Sequence, residues 1–207
     1  MQVIPKLFRN SGLVIWVAIF GSAGALAGDD HQTSADDAKH LARTASKSLG
    51  QRLGSKLKTA ITEGGLVAAV DVCHIEAQDL TQETSTELEL EIRRTALKVR
   101  NPINTPDAWE RTQLMAFESA LADGVPVVEL EALESVTDAD GTQYWRYMKP
   151  ISTQGLCLAC HGDQLAPDVA ARIEARYPKD QATGFTLGQL RGAFSVAIHP
   201  ADGDGHR

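Results

Sequence analysis

The chain has 207 residues, 43% hydrophobic and 23% charged, which is enough for one ordinary globular domain and tight for two. Its net charge of -7 argues against a nucleic-acid surface, which needs clustered Lys and Arg.

The first residues are set apart. "MQVIPKLFRN" carries Lys6 and Arg9 and no acid, "SGLVIWVAIFGSAG" is uncharged and mostly apolar, and "ALA" (Ala25 to Ala27) has the small residues of a cleavage site. That is the layout of a secretory signal peptide. An uncleaved anchor is the alternative, but the run is short and rich in Gly, Ala and Ser for a spanning helix. No other segment is apolar and long enough to span a bilayer. Cleavage after Ala27 removes 27 residues and two positive charges, leaving 180 residues at -9. The expected product is an exported, periplasmic, acidic protein with no membrane span, in an oxidising compartment.

From Ser34 the pattern is helical. Ala38, Leu41, Ala42, Ala45, Leu49, Leu53, Leu57, Ala60 and Ile61 recur every three or four residues. Ser34 with Asp37 resembles an N-cap, and Gly64-Gly65 supplies a stop. A second helix is expected from Leu66 to Leu80, with Leu66, Ala69, Val70, Cys73, Ala77 and Leu80 as its stripe. That stripe points Cys73 into the core.

In "ELELEIRR" the period changes to two, as in a half-buried strand. The phase slips past Arg93-Arg94, which predicts a bulge or break. "RNPINTPDAWE" reads as a loop and then a helix to about Asp123, with Thr105 as cap and Pro106 in its first position. Strands are expected from Val125 to Leu133 and from Gln143 to Ile151, joined by the turn "DADG". A helix from Pro167 to Tyr177 and a strand from Leu190 to Ile198 complete the order. The sequence predicts an α+β fold with antiparallel strands and helices to one side.

The chemistry is concentrated in "GLCLACHGD". Cys157, Cys160 and His161 form C-x-x-C-H, the attachment signature of c-type haem. Two thiols three residues apart share one side of a helical turn and can form thioethers with both vinyl groups of one porphyrin. The adjacent imidazole is then placed as an iron ligand. A thioredoxin-type dithiol normally opens a helix after an early strand in a βαβ unit, whereas this pair lies in the last quarter of the chain with no such unit in front of it. A zinc site would want four ligands at tetrahedral spacing, and the sequence has no second C-x-x-C pair. A plain disulfide remains a further alternative.

The second iron ligand is open at this level. No methionine follows His161; Met148 falls on a strand and Met115 on a helix. His199 lies near a frayed end. His31, His40 and His206 read as surface residues, and His74 falls off its helix stripe. Cys73 reads equally as a ligand or as a small buried hydrophobe.

Four segments carry a resemblance: "AAVDVCHIEA", "RRTALKVRNPINTPDAWE", "CLACHGD" and "YPKDQATGFTLGQLRGAFSV". Together they resemble exported single-haem c-type proteins whose haem sits on a PAS-like domain, a domain also found as the sensor part of bacterial signalling proteins. The resemblance implies a PAS-like antiparallel sheet with flanking helices around one covalently bound haem c. It implies axial ligation by His161 and Cys73. The expected division is a signal peptide (1–27), an N-terminal helical segment (28–64), a PAS-like c-type haem domain (65–200) and a frayed tail (201–207).

Arg93, Arg94, Arg100 and Arg191 are candidate partners for the haem propionates. Tyr144, Trp145, Tyr147, Phe185 and Phe194 are candidate pocket walls. A thiolate ligand neutralises ferric haem and leaves a buried negative charge on reduction, so it favours Fe(III). Single-electron transfer with a redox partner protein is the first expectation. A haem-based redox or gas sensor working with a separate signalling partner is the alternative. A peroxidase-like enzyme ranks below both, because Cys73 would block the position a substrate needs.

Overall fold

The computed structural model describes Met1 and residues 33–200. The expected signal peptide and tail lie outside the described residues. Thr33 to Pro200 belong to one compact unit.

The chain opens with α1 (Ala35–Leu88), capped by Ser34, whose Oγ accepts from the Asp37 N–H at 3.2 Å. Gly65, at φ 73° and ψ -171°, interrupts it. Only a residue without a Cβ adopts that conformation readily, so the expected stop divides α1 into two arms, 35–64 and 66–88. The arms fold back on one another. Arg52 pairs with Glu87 at 2.8 Å, and Lys56 pairs with Glu76.

The second arm runs eight residues past the expected Leu80, and "ELELEIRR" is not one strand: Glu87 and Leu88 are helical. The helical stripe continues through Thr81 and Thr84, both buried. Each hydroxyl donates to its own helix, to the Ala77 and Leu80 carbonyls, and Thr84 Oγ1 also accepts from Arg52 Nη1 at 2.9 Å, so both hydroxyls are satisfied and the threonine methyl groups are free to pack. Glu89, at φ 53°, ends the helix.

A four-stranded antiparallel sheet follows, in the order β1-β4-β3-β2: β1 (Glu91–Thr95), β2 (Ala132–Thr137), β3 (Gln143–Ser152) and β4 (Leu190–Ile198). β1 pairs with β4 in unbroken register from Glu91↔Ala197 to Thr95↔Ala193, so the expected bulge at Arg93-Arg94 is absent. The irregularity lies elsewhere. Ile151 pairs with Gly192 and Ser152 with Leu190, which leaves Arg191 as the extra residue of a bulge. Gly192 is needed there: a Cβ would lie 2.5 Å from the Thr95 carbonyl oxygen.

Helices cover both faces of the sheet, not one. On the first face Ala38, Ala42, Ala45 and Leu49 pack against Ile92, Tyr147, Val196 and Ile198. Gly50 leaves room for the Phe194 ring, 3.2 Å from where a Cβ would sit. On the second face α2 (Ala108–Ala122) packs Leu114 and Phe117 on Met148, Leu190 and Ala193. Its cap is Asp107, not Thr105, and Glu110 completes a capping box. The segment expected as strand from Val125 holds a 3-10 turn, Val127–Glu129, before β2 begins at Ala132; Pro126 is consistent with that delay. "DADG" turns as expected, with Asp138 Oδ1 accepting from the Asp140 and Thr142 amides.

Two short elements remain. α3 (Leu158–His161) follows a 3-10 turn, and α4 (Pro167–Arg176) packs Val169, Ile173 and the following Tyr177 on Val70 of the second arm. Asp71 fastens that contact through Arg176 at 2.7 Å and Arg172 at 3.7 Å. Among the described residues no helix is long and apolar enough to cross a membrane.

Candidate functional site

The site is built around α3. Cys157 closes the 3-10 turn, Cys160 and His161 lie on α3 itself, and Gly162 ends it. A Cβ on Gly162 would stand 2.6 Å from the Leu158 carbonyl oxygen, so the residue after His161 must be small. Cys157 Sγ accepts from the Gln154 N–H at 3.3 Å. Cys160 rests against the cluster that joins α4 to the second arm of α1. Both thiols are free.

His161 is held by its inner nitrogen. Nδ1 lies 2.7 Å from the Ala182 carbonyl oxygen. A carbonyl only accepts, so Nδ1 carries the proton and Nε2 keeps its lone pair. Burial, then Arg191 and Arg100, push the imidazole pKa down to about 3, against a smaller opposing effect of the Ala182 bond. A neutral ring with a free Nε2 is the form that binds a metal, and an N–H held by a backbone carbonyl is the usual way of orienting it. The Phe185 ring stands edge-on to the imidazole at 6.2 Å.

Cys73 is not in the core, contrary to the stripe argument. It is exposed, whereas Val70 and Ala77 on the same helix face are buried. Protein still crowds the thiol: burial pushes its pKa up, against Arg94, Arg100 and Arg191, which lower it. Cys73 in turn raises the Cys160 pKa, behind the larger effect of burial. The "VC" cysteine and the C-x-x-C-H motif therefore belong to one electrostatic neighbourhood, although 84 residues separate Cys73 from Cys157 in sequence.

The four arginines have different surroundings. Arg93 faces α2 and is spent there, donating to the Ile103 and Thr105 carbonyls at 3.0 and 2.9 Å and pairing with Glu110 at 3.4 Å. Arg100 pairs with Asp180 at 3.0 Å and donates to the Cys160 carbonyl at 2.7 Å. Arg94 makes one long bond, to the Ala77 carbonyl at 3.3 Å, and its buried Nε has no partner. Arg191, turned by the bulge, reaches the Lys98 carbonyl at 3.4 Å and lies 5.3 Å from the Phe185 ring centre. Burial, and next Arg100, lower its pKa to about 10.

Of the candidate aromatics, Phe185 is at the site. Tyr144 stacks on His199, Trp145 donates to the Thr33 carbonyl, and Tyr147 and Phe194 pack with the first arm of α1. Tyr177 was missed by the sequence argument. Its ring meets His74 edge-on at 5.0 Å, and burial followed by Cys73 pushes its pKa up to about 12. Its signal was its place in the "YPKDQATGF" segment. Met148 is fully buried under α2 and Met115 is exposed, and neither is placed with the site residues. Among the described residues no group of three or more His, Cys, Asp or Glu is set to hold a bare metal ion.

Fold and site together define an α+β protein that carries a C-x-x-C-H motif with an oriented, neutral histidine, and a third, exposed cysteine on the second arm of α1. The chain belongs to the Tll0287-like family, whose model matches residues 28–199. It is similar to the solved cyanobacterial heme-protein Tll0287, at 27% identity and a TM-score of 0.59, over 80% of this chain and 98% of that one. No curated protein matches it.

Proposed function

We propose that this chain binds one haem c, tethered by Cys157 and Cys160, with His161 and Cys73 as its axial ligands, on a PAS-like fold. We propose further that it is an exported, periplasmic single-electron carrier serving a redox partner protein. The observation that carries this reading is the 2.7 Å contact from His161 Nδ1 to the Ala182 carbonyl, which leaves Nε2 free beside two free thiols. The similarity to a heme-protein supports it.

The group fits the residues present. Haem, when bound, supplies a one-electron Fe(III)/Fe(II) couple. Arg94 and Arg191, which among the described residues reach backbone carbonyls and pair with no carboxylate, provide guanidinium groups for its two propionates. Phe185 supplies an apolar wall. Cys73, which is exposed, would take the second axial position and exclude a substrate from it.

That accessibility also favours a second reading. A ligand not fixed by the core can leave, as a redox or gas sensor with a separate transmitter would need.

The test is the full chain exported from a host with c-type maturation. Haem should stay with the polypeptide through acid-acetone extraction and give the pyridine haemochrome of a two-thioether haem. A Cys157→Ser/Cys160→Ser variant should lose it. Wild-type protein that binds no haem, or releases it on extraction, would falsify the reading.

A further inference from the structure

Arg100, a candidate propionate partner by sequence, is instead fully engaged by protein groups beside His161. Its side chain is 10% exposed, as is that of Asp180. Its Nε and Nη2 fork onto the Asp180 carboxylate at 3.2 and 3.0 Å. Nη2 also donates to the Cys160 carbonyl at 2.7 Å and to the Ala182 carbonyl at 3.2 Å.

The last two acceptors are the telling ones. Cys160 precedes His161, and its carbonyl lies in the final turn of α3, where no helical N–H remains to satisfy it. The Ala182 carbonyl is the oxygen that accepts from His161 Nδ1. One guanidinium therefore spans the backbone that carries the imidazole and the oxygen that orients it. Asp180 keeps its own strand of the loop in place, because Oδ1 also accepts from the Ala182 N–H at 2.9 Å. Val99 adds its carbonyl, which accepts from the Gln181 N–H at 2.9 Å. The loop is fastened on the other side as well: the Phe185 and Gly184 amides donate to the His161 and Gly162 carbonyls at 2.9 and 3.0 Å.

We propose that Arg100, clasped by Asp180, is a positioning residue for His161: by holding both the Cys160 and the Ala182 carbonyls it fixes the imidazole's plane and keeps the Nδ1 hydrogen bond in place. The clasp rests on the geometry alone; its consequence for an iron ligand rests on the haem reading above. Lysine cannot replace this arrangement, since a single ammonium does not reproduce the fork on Asp180 together with two carbonyls.

The experiment compares the wild type with Arg100→Lys and with a paired Arg100→Gln/Asp180→Asn variant, which avoids leaving a buried carboxylate unpaired. The first readout is solvent exchange of the His161 ring N–H, followed by nitrogen-15 NMR on the full chain, with or without haem. Losing one anchoring hydrogen bond should speed exchange about tenfold. The second, on haem-loaded protein, is the low-spin ferric EPR spectrum and the midpoint potential. Both variants should broaden the g-values and shift the potential, with no rescue by lysine. Wild-type exchange in both variants overturns the clasp, whether or not haem is bound. Faster exchange with unchanged g-values and potential overturns its effect on the iron ligand. Failure of wild-type chain to take up haem speaks against the proposed function, and the exchange readout still decides the clasp.

Discussion

The Tyr147 hydroxyl donates to the Glu131 carboxylate at 3.0 Å, at the point where the first arm of α1 crosses the sheet. Lys39 reaches the same carboxylate at 2.8 Å, as does Arg43 through Nε. Chiefly through Arg43, with Lys39 and Tyr147 adding to it, the Glu131 pKa is held down to about 2, against an opposing effect of burial. A carboxyl whose folded pKa is depressed contributes stability that is full above its unfolded pKa and lost as pH falls through the folded one. Acid should therefore weaken the α1-sheet contact progressively from pH ~4.5 toward about 2. Glu131→Gln should lower the thermal midpoint at pH 7 and flatten its fall across that window. A variant with the wild-type pH dependence would remove Glu131 from the account.

Gly192 lies where β4 passes closest to β1. A Cβ there meets the Thr95 carbonyl oxygen at 2.5 Å and the Ala96 Cβ at 3.1 Å. Gly192→Ala should cost about 1–3 kcal/mol, as overpacking does, read from urea unfolding. A cost near zero would mean that the bulge at Arg191 yields freely.

Much of this architecture can be read from residue order, and the failures share a cause. Ser34, Gly65 and Asp138 announce their turns because side-chain chemistry at one position decides each. The strands of β3 and β4 show in their apolar content. The far end of α1 does not, because Thr81 and Thr84 look polar yet are buried with their hydroxyls satisfied. The motif Cys157, Cys160 and His161 is legible as chemistry, but its orientation is not. The Ala182 carbonyl is a backbone atom with no signature, and Arg191 is aimed by a pairing irregularity that only the folded sheet contains. Cys73 shows the limit of periodicity: its place on the stripe is right, and the packing above it is open.

Cys73→Ala separates a ligand from a bystander. With haem attached at Cys157 and Cys160, the variant should have a ferric absorption spectrum different from the wild type, since a thiolate ligand is strongly coloured by its iron. An unchanged spectrum would show that the sixth position belongs to another group. In the wild type, ferrous protein that takes up carbon monoxide would mean that Cys73 leaves on reduction, as the buried-charge argument expects.

Arg191 should behave oppositely with and without haem. Burial lowers its pKa to about 10, so the charge is held at a cost in the bare chain. Arg191→Met should leave the thermal midpoint of haem-free protein unchanged or raised, and lower that of haem-loaded protein. An equal loss in both forms would assign Arg191 to the fold and not to the propionates.

The sheet order carries a consequence for how the molecule is made. Among the described strands β4 lies between β1 and β3, so β1 has no neighbour in the sheet until residues 190–198 have been made. A polypeptide emerging N-terminus first can complete both arms of α1, then α2, then the β2-β3 hairpin, and still have no closed sheet. Cys157 and Cys160 emerge after that hairpin and ahead of the strand that joins the halves. The two thiols are thus made before the sheet can close, and β4 then joins its two halves.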